Sequence, residues 1–236
     1  MSAAPQSLPT FEFLNPASHR QLRLRPKTDA TPHFLQIVVG EFASAAACCP
    51  ILFTKEPATG RFYAGAMFGF KPGESFIDEL TVRGGFNPLS LQRDGFYISE
   101  EHIAIDRNNA RFSECEGEPL FDDARQPTSA LRQIQRALGQ LQAGIEATDV
   151  FIRALNDLKL IEPIDISLTF GGELLTLQGL YTVSLDAIRE LDDAAALRVL
   201  RSGHLQLAYT MNVSLKQIPI LAQLRDQIIR RISPTS

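Results

Sequence analysis

The sequence has few cysteines and no long apolar run, which excludes a disulfide-rich protein and a transmembrane helix. Among 236 residues there are three cysteines, Cys48, Cys49 and Cys115, too few for a disulfide scaffold. Adjacent residues such as Cys48 and Cys49 form only a strained disulfide bond, so the cysteines are expected to be free thiols. Free thiols are typical of a reducing compartment, and a cytoplasmic location is therefore expected. The most apolar window, residues 42–53, is interrupted by Pro50 and is too short to span a bilayer.

Positive charge and catalytic motifs are also scarce. The formal net charge is −4, so the chain lacks the basic field of nucleic-acid and anionic-membrane binders, and no such partner is expected. The first ten residues have neither a basic n-region nor an apolar h-region, so no signal peptide is expected. Phosphate-binding loops, dinucleotide fingerprints, nucleophile elbows and Cys/His metal spacings do not occur. The sequence therefore predicts no cofactor and no resident metal.

What is present predicts an α+β fold. Apolar residues make up 44% of the chain, enough for a real core. Residues 36–115 are rich in strand signals that come in hairpin-like groups, without regular βαβ alternation. We therefore expect a mainly antiparallel sheet with one long helix packed across it and a C-terminal helical segment. Residues 1–35 are Pro-rich and are expected to form an extended N-terminal segment, followed by a single domain over residues 36–236.

The second half of the chain carries sharper patterns. Residues 164–183 alternate between apolar and polar side chains, which predicts a hairpin with Gly171-Gly172 as its two-residue turn. Residues 184–232 show helical spacing throughout and form the predicted helical end.

The clearest signal is a stripe of residues spaced alternately three and four apart. Its members are Leu131, Ile134, Leu138, Leu141, Ile145, Thr148, Ile152 and Leu155. The spacing predicts one helix over residues 128–160, with Thr128 as its N-cap. Exposing so many apolar side chains would exceed the net stability of many domains, so the stripe is predicted to be buried. Its cover is either the protein's own sheet and C-terminal helices or a second subunit in a homodimer.

An acidic segment, residues 114–123, is the densest ionisable cluster. We expect an exposed loop in which Leu120 and Phe121 are buried in the core while Glu116 and Glu118 face water. The alternative is a set of paired carboxylates for acid–base chemistry or cation binding. The weak catalytic candidates are Glu116, Glu118, Asp122, His102 and His204. No spacing among the histidines places two of them on one metal ion.

Four segments together carry a resemblance to a known family. They are residues 116–122 ahead of the long helix, Glu41-Phe42 with the block at residues 50–53, residues 160–163 ahead of the hairpin, and Ser202-Gly203-His204-Leu205. In this order and spacing they resemble the bacterial SapC family, from about residue 12 to about residue 220. Members of that family usually carry tryptophan, which this chain lacks.

The resemblance implies an accessory role. The family takes its name from a surface-array gene locus, and its members are often encoded near halogenase-like proteins, cupin-like oxygenases and TonB-dependent receptors. It supplies no catalytic residues. The leading hypothesis is a non-catalytic accessory or binding protein that acts on a peptide or protein partner in surface-protein or peptide modification, or in nutrient uptake. The alternatives are an enzyme with a site assembled from the scattered acidic residues and histidines, and a surface-layer component.

Overall fold

The computed structural model describes residues 10–26, 32–170 and 173–232. The chain is 40% helix and 24% strand, and within these ranges every strand pair is antiparallel. The predicted α+β class is therefore confirmed. The first nine residues of the expected N-terminal segment and the expected turn at Gly171-Gly172 lie outside the described residues.

Strands dominate the first half of the chain and helices its end. The strands are β1 (Phe11–Phe13), β2 (Arg23–Leu24), β3 (Phe34–Gln36), β4 (Ile51–Lys55), β5 (Phe62–Met67), β6 (Phe96–Ser99), β7 (His102–Asp106), β8 (Phe112–Ser113), β9 (Glu118–Pro119), β10 (Ile161–Pro163), β11 (Ile166–Phe170), β12 (Glu173–Leu177) and β13 (Tyr181–Val183). The helices are α1 (Phe42–Ala46), α2 (Ile77–Gly84), α3 (Leu89–Gln92), α4 (Ser129–Asp157), α5 (Leu185–Arg189), α6 (Asp193–Arg201), α7 (His204–Ser214) and α8 (Gln217–Ile232). A helix long and apolar enough to cross a membrane is not found among the described residues.

In the described ranges the strands form four separate sheets. Their strand orders are β1-β7-β6, β10-β13-β4-β5-β3, β11-β12 and β8-β2-β9. The pairing of β11 with β12 confirms the predicted hairpin, and β10 pairs with β13 just outside it. One main sheet was expected from the sequence, whereas the described strands are divided among four.

The chain folds into two compact units. Unit 1 contains residues Met1–Asp29 and Leu89–Gln142, and unit 2 contains Ala30–Pro88 and Ala143–Ser236. The N-terminal segment supplies β1 and β2 of unit 1, and helix α4 begins in unit 1 and ends in unit 2. The predicted single domain over residues 36–236 stays a prediction, because two compact units can still unfold in one cooperative transition.

Unit 1 buries an apolar cluster formed by its strands, its loops and the first half of α4. Its members are Leu22, Phe96, Ile105, Phe112, Leu120, Phe121, Leu131, Ile134 and Leu138. Phe96 and Ile105 are partners in the register of β6 and β7, so one face of that sheet points into the cluster. Thr128 caps α4 as predicted, because its Oγ1 accepts a hydrogen bond from the Leu131 amide at 3.5 Å and donates one to the Pro119 carbonyl at 2.7 Å.

Unit 2 has an aromatic core. Phe42 of α1, Phe53 of β4 and Phe151 of α4 are all fully buried. The ring of Phe151 lies 5.9 Å from that of Phe42 and 6.1 Å from that of Phe53, between centroids. These separations are typical of favourable aromatic pairs, so Phe151 anchors the second half of α4 in unit 2.

The predicted burial of the α4 stripe is only partly correct. Leu138 and Ile152 are buried and Leu141 is half-buried, but the Ile145 side chain is 53% exposed. Leu131, Ile134, Thr148 and Leu155 are buried as well, so the exposure is confined to the position of Ile145. In unit 2 the buried face includes Phe151, which is off the stripe, and Ile145 falls on its margin.

Gly139 and Gly144 of α4 differ in their surroundings, so replacing each with alanine should change the free energy of unfolding in opposite directions. A Cβ at Gly139 would meet nothing within 4 Å, whereas a Cβ at Gly144 would overlap the buried Val38 side chain. Gly139→Ala should therefore raise the free energy of unfolding by about 0.8–1 kcal/mol, the difference in helix propensity. Gly144→Ala should lower it by about 1–2 kcal/mol, because overpacking outweighs that gain.

Thr148 holds the backbone at Val39 close to α4 beside Gly144, since its Oγ1 donates to the Gly144 carbonyl at 2.6 Å and accepts from the Val39 amide at 2.9 Å.

Urea denaturation of Gly139→Ala and Gly144→Ala beside wild type measures the difference in the free energy of unfolding. Equal stabilisation of both variants would show that Val38 moves aside without cost.

Candidate functional site

The acidic segment is an exposed loop that is anchored by its apolar residues. Leu120 and Phe121 are buried in unit 1, as predicted. Glu116 and Glu118 are exposed, also as predicted, and the Glu116 side chain is 72% accessible to water. Arg25 donates from Nε to Glu116 Oε2 at 3.1 Å, a surface ion pair that contributes little to stability.

The remaining carboxylate candidate has a local structural role. Asp122 Oδ1 accepts a hydrogen bond from the Gln126 amide at 2.8 Å, and the Asp122 carbonyl accepts one from the Arg125 amide at 2.9 Å. These bonds hold a tight turn in which Arg125 takes a left-handed conformation, with φ of 59°. The turn directs the chain from the loop to the start of α4.

The five predicted catalytic candidates do not form one site. In unit 1, His102 lies on β7, whereas Glu116, Glu118 and Asp122 lie on the acidic loop, with Asp122 in the turn that ends it. His204 belongs to unit 2. Within the described ranges no hydrogen bond joins any two of them, and no group of three His, Cys, Asp or Glu side chains is placed to hold a metal ion.

The outer face of sheet β1-β7-β6 carries exposed aromatic side chains. This aromatic face consists of Phe11, Phe13, Tyr97 and His102. Side chains alternate between the faces of a strand, so these residues lie opposite Phe96 and Ile105, which point into the core. Phe11 and Phe13 are each 57% exposed.

The rings of the aromatic face form two contacting pairs. Phe11 and Tyr97 are edge to face, with centroids 5.0 Å apart, and Phe13 lies 5.5 Å from the His102 ring. The guanidinium of Arg93 is 5.1 Å from the centre of the Tyr97 ring, on which it makes a cation–π contact. The pairs hold the rings in place without covering them, so they present a preformed apolar surface to water.

Strand β1 also presents a hydrogen-bonding edge. The Thr10 carbonyl accepts a hydrogen bond from the Arg107 amide just after β7, and the Leu14 amide donates one to the Ile103 carbonyl of β7. By the two-residue alternation the backbone groups of Phe11 and Phe13 point away from β7. Among the described strands β1 pairs with β7 alone. An aromatic surface and an open strand edge therefore meet on the same three residues.

Partly buried polar contacts fix β1 in this position. Glu12 lies on the opposite face of β1 from the two phenylalanines. Its Oε1 is 3.0 Å from Nε2 of the buried His19 and 3.7 Å from Nε of Arg107. The alternation Phe-Glu-Phe at residues 11–13 was the available sequence signal, and it was missed because the N-terminal segment was interpreted as extended chain outside the domain.

Unit 2 contains a pocket of about 300 Å³ beside His204. Its apolar lining is Ala154 of α4, Leu158 just after that helix, and Val199 of α6. Its polar lining is Asp157, Arg198, Ser202 and His204. The pocket therefore uses part of the Ser-Gly-His-Leu segment that carried the resemblance in the sequence.

His204 is held by packing and by the turn before it. Its ring lies 5.5 Å from that of the buried Phe151, edge to face. Gly203 takes a left-handed conformation with φ of 78°, and Ser202 Oγ accepts from the His204 amide at 3.4 Å. Burial lowers the pKa of His204 and so favours the neutral imidazole.

Two of the three cysteines are buried thiols. Cys48 and Cys49 are buried, and Cys115 is exposed without a disulfide partner. A hydrogen bond with the Cys48 thiol, followed by burial, raises the pKa of Cys49, and the same bond lowers the pKa of Cys48. Thiols closed off from water in an apolar helix end are structural rather than nucleophilic.

Comparison with known proteins connects this geometry to a family. The SapC family model matches residues 14–221. This region includes β6, β7, the acidic loop, helix α4 and the pocket at His204, whereas β1 (Phe11–Phe13) lies just before it. No curated protein and no solved structure matches the chain significantly. Because the family model covers most of the chain, the resemblance seen in the sequence is confirmed, and the protein belongs to the SapC family.

Proposed function

We propose that this SapC-family protein is a non-catalytic accessory protein that binds an extended segment of a peptide or protein partner on the aromatic face. The partner acts in surface-protein or peptide modification or in nutrient uptake, as the gene surroundings of the family suggest. Halogenase-like and cupin-like gene neighbours are the first partners to test. The proposed location is the cytoplasm, which suits three cysteines without disulfide bonds.

The exposure of Phe11 and Phe13 carries this proposal. Single exposed apolar residues are ordinary, but a contiguous aromatic surface usually marks an interaction site. Aromatic residues are enriched among the side chains that dominate binding energy, because they bury much area with little loss of conformational entropy. The two phenylalanines, Tyr97 and His102 make such a surface on one sheet.

The strand edge suggests how the partner binds. An extended peptide that pairs with β1 would take up the outward backbone groups of Phe11 and Phe13, and its alternate side chains would contact the aromatic face. Backbone pairing supplies affinity with little sequence preference, whereas the rings select apolar or aromatic side chains at every second position.

Binding to purified gene neighbours tests the proposal. The variant Phe11→Ser/Phe13→Ser should weaken binding by about tenfold or more, since each large buried aromatic contributes about 1.5–3 kcal/mol. Surface plasmon resonance with the halogenase-like and cupin-like proteins as analytes measures the affinity. Circular dichroism shows whether the variant keeps its fold.

Leu174→Ser is the matched control. Leu174 is also a strongly exposed apolar side chain on a strand, but it lies on β12 in unit 2. Its replacement should leave the affinity unchanged. Equal binding by wild type and the double serine variant would remove the aromatic face from consideration.

Two further hypotheses from the sequence have less support. The enzymatic alternative needs its acidic residues and histidines in one closed site, and the carboxylates of the acidic loop face water. Homodimerisation through α4 stays a prediction, for which the exposed Ile145 is the contact to test. Sedimentation of Ile145→Glu beside wild type would show a monomer derived from a dimer if the helix is an interface.

A further inference from the structure

The pocket beside His204 contains two opposite charges that do not neutralise each other. Asp157 and Arg198 both line it, and both side chains are exposed at its mouth. Neither makes an ion pair or side-chain hydrogen bond with any residue that the structure describes. Both charged groups are therefore accessible to a ligand in the pocket.

The position of Asp157 makes it a site for a cation. Asp157 is the last residue of α4, where the helix carries partial negative charge on its terminal carbonyl groups. The negative charge of the Asp157 carboxylate is repelled by the partial negative charge of the terminal carbonyl groups. A positively charged group beside it would be attracted to both.

The position of Arg198 makes it a site for an anion. Arg198 lies in the last turn of α6, where the helix dipole favours a positive side chain. Its guanidinium has donors arranged to bind both oxygens of a carboxylate. The pocket is thus lined by one negative and one positive side chain, Asp157 and Arg198.

Between the charges the lining is apolar. Val199 is buried, and Ala154 and Leu158 are half-buried, so the inner part of the pocket accepts hydrocarbon. The neutral His204 ring adds a flat wall, and neither of its nitrogens bonds to a described residue, so both can face a ligand. A volume of about 300 Å³ suits a molecule with a few carbon atoms beyond its two charged groups.

We propose that this pocket binds the zwitterion of an α-amino acid with an aliphatic side chain. Arg198 binds the carboxylate, Asp157 binds the ammonium group, and Ala154, Leu158 and Val199 receive the side chain. The site lies in unit 2 and uses none of the residues of the aromatic face, so it goes beyond the proposed peptide binding and can fail or succeed independently of it.

Titration of the full chain with L-leucine tests the proposal. The chain is labelled with ¹⁵N-histidine, and the His204 imidazole signals, assigned with the variant His204→Gln, report binding as leucine is raised through the millimolar range. Saturable shifts are expected with leucine. Affinity for glycine should be about tenfold lower, because it lacks a side chain to bury.

Blocked ligands separate the two charged contacts. Leucinamide lacks the carboxylate and N-acetyl-leucine lacks the ammonium group, so each should bind about tenfold more weakly than leucine or not at all. Equal binding of N-acetyl-leucine would overturn the proposal in favour of a site for the carboxyl terminus of a peptide. Equal binding of leucinamide, or no shift with leucine, would overturn it outright.

Two arginines of α6 supply matched variants. Arg198→Gln should weaken leucine binding by about tenfold or more, since it removes a charged hydrogen bond. Arg201→Gln removes an exposed arginine from the same last turn but outside the pocket lining, and it should bind leucine as wild type does. Equal affinities of the two variants would show that Arg198 does not bind the carboxylate.

Discussion

Replacing Phe121 with alanine should lower the free energy of unfolding by about 3–5 kcal/mol, as truncation of a buried phenylalanine does. Phe121 is buried in the apolar cluster of unit 1, although it lies in the middle of the most acidic segment of the chain. Glu118→Gln, three residues earlier, should change stability very little because its side chain is exposed. Chemical denaturation followed by circular dichroism measures both.

The same substitution at an exposed phenylalanine is the control. Phe11→Ala removes the same atoms from a side chain that already faces water, so it should reduce stability by about 1 kcal/mol or less. Similar losses for Phe121→Ala and Phe11→Ala would mean that the acidic segment is not anchored in the core.

Replacing Arg225 with methionine should lower the free energy of unfolding by about 3 kcal/mol, because it leaves a largely buried carboxylate without its counter-charge. Arg225 Nε lies 2.7 Å from Glu74 Oε1, and the two side chains are 10% and 18% exposed. Glu74 Oε2 also accepts from the Phe70 amide at 2.9 Å. The guanidinium packs 4.3 Å from the centre of the Phe170 ring. One arginine therefore joins α8, the loop at residues 70–74 and hairpin β11-β12.

A double variant and a surface pair separate the causes of this loss. Glu74→Gln/Arg225→Met should regain part of the lost stability, since no unpaired charge is left buried. Arg189→Met breaks the exposed pair with Asp186, whose atoms are 2.8 Å apart, and should cost less than about 1 kcal/mol. If the double variant were no more stable than Arg225→Met, the loss would come from packing on Phe170 and not from charge.

The two proposed sites differ in what they require of the chain. The aromatic face depends on the position of β1, which Glu12 holds through His19 and Arg107. The pocket depends on the packing of His204 against Phe151. Because these contacts lie in different units, variants of one site leave the contacts of the other in place.

Several features of the molecule follow from the sequence alone. The alternating three and four spacing predicted α4 and its N-cap Thr128, because helix periodicity and capping are local properties. The alternation of residues 166–177 predicted hairpin β11-β12 for the same reason. The burial of Leu120 and Phe121 was predicted too, since two large apolar residues within an acidic run have few other ways to avoid water.

Other features depended on contacts between residues far apart in the chain. Sequence spacing cannot show that Phe11 pairs with Asp106 of β7, and only that pairing turns a short N-terminal segment into an aromatic face. The exposure of Ile145 likewise follows from where Phe151 and Val38 meet α4, not from the regularity of the stripe. Local periodicity determines which side chains share a face, but long-range packing decides which face is covered, and it is the uncovered faces that are available for binding.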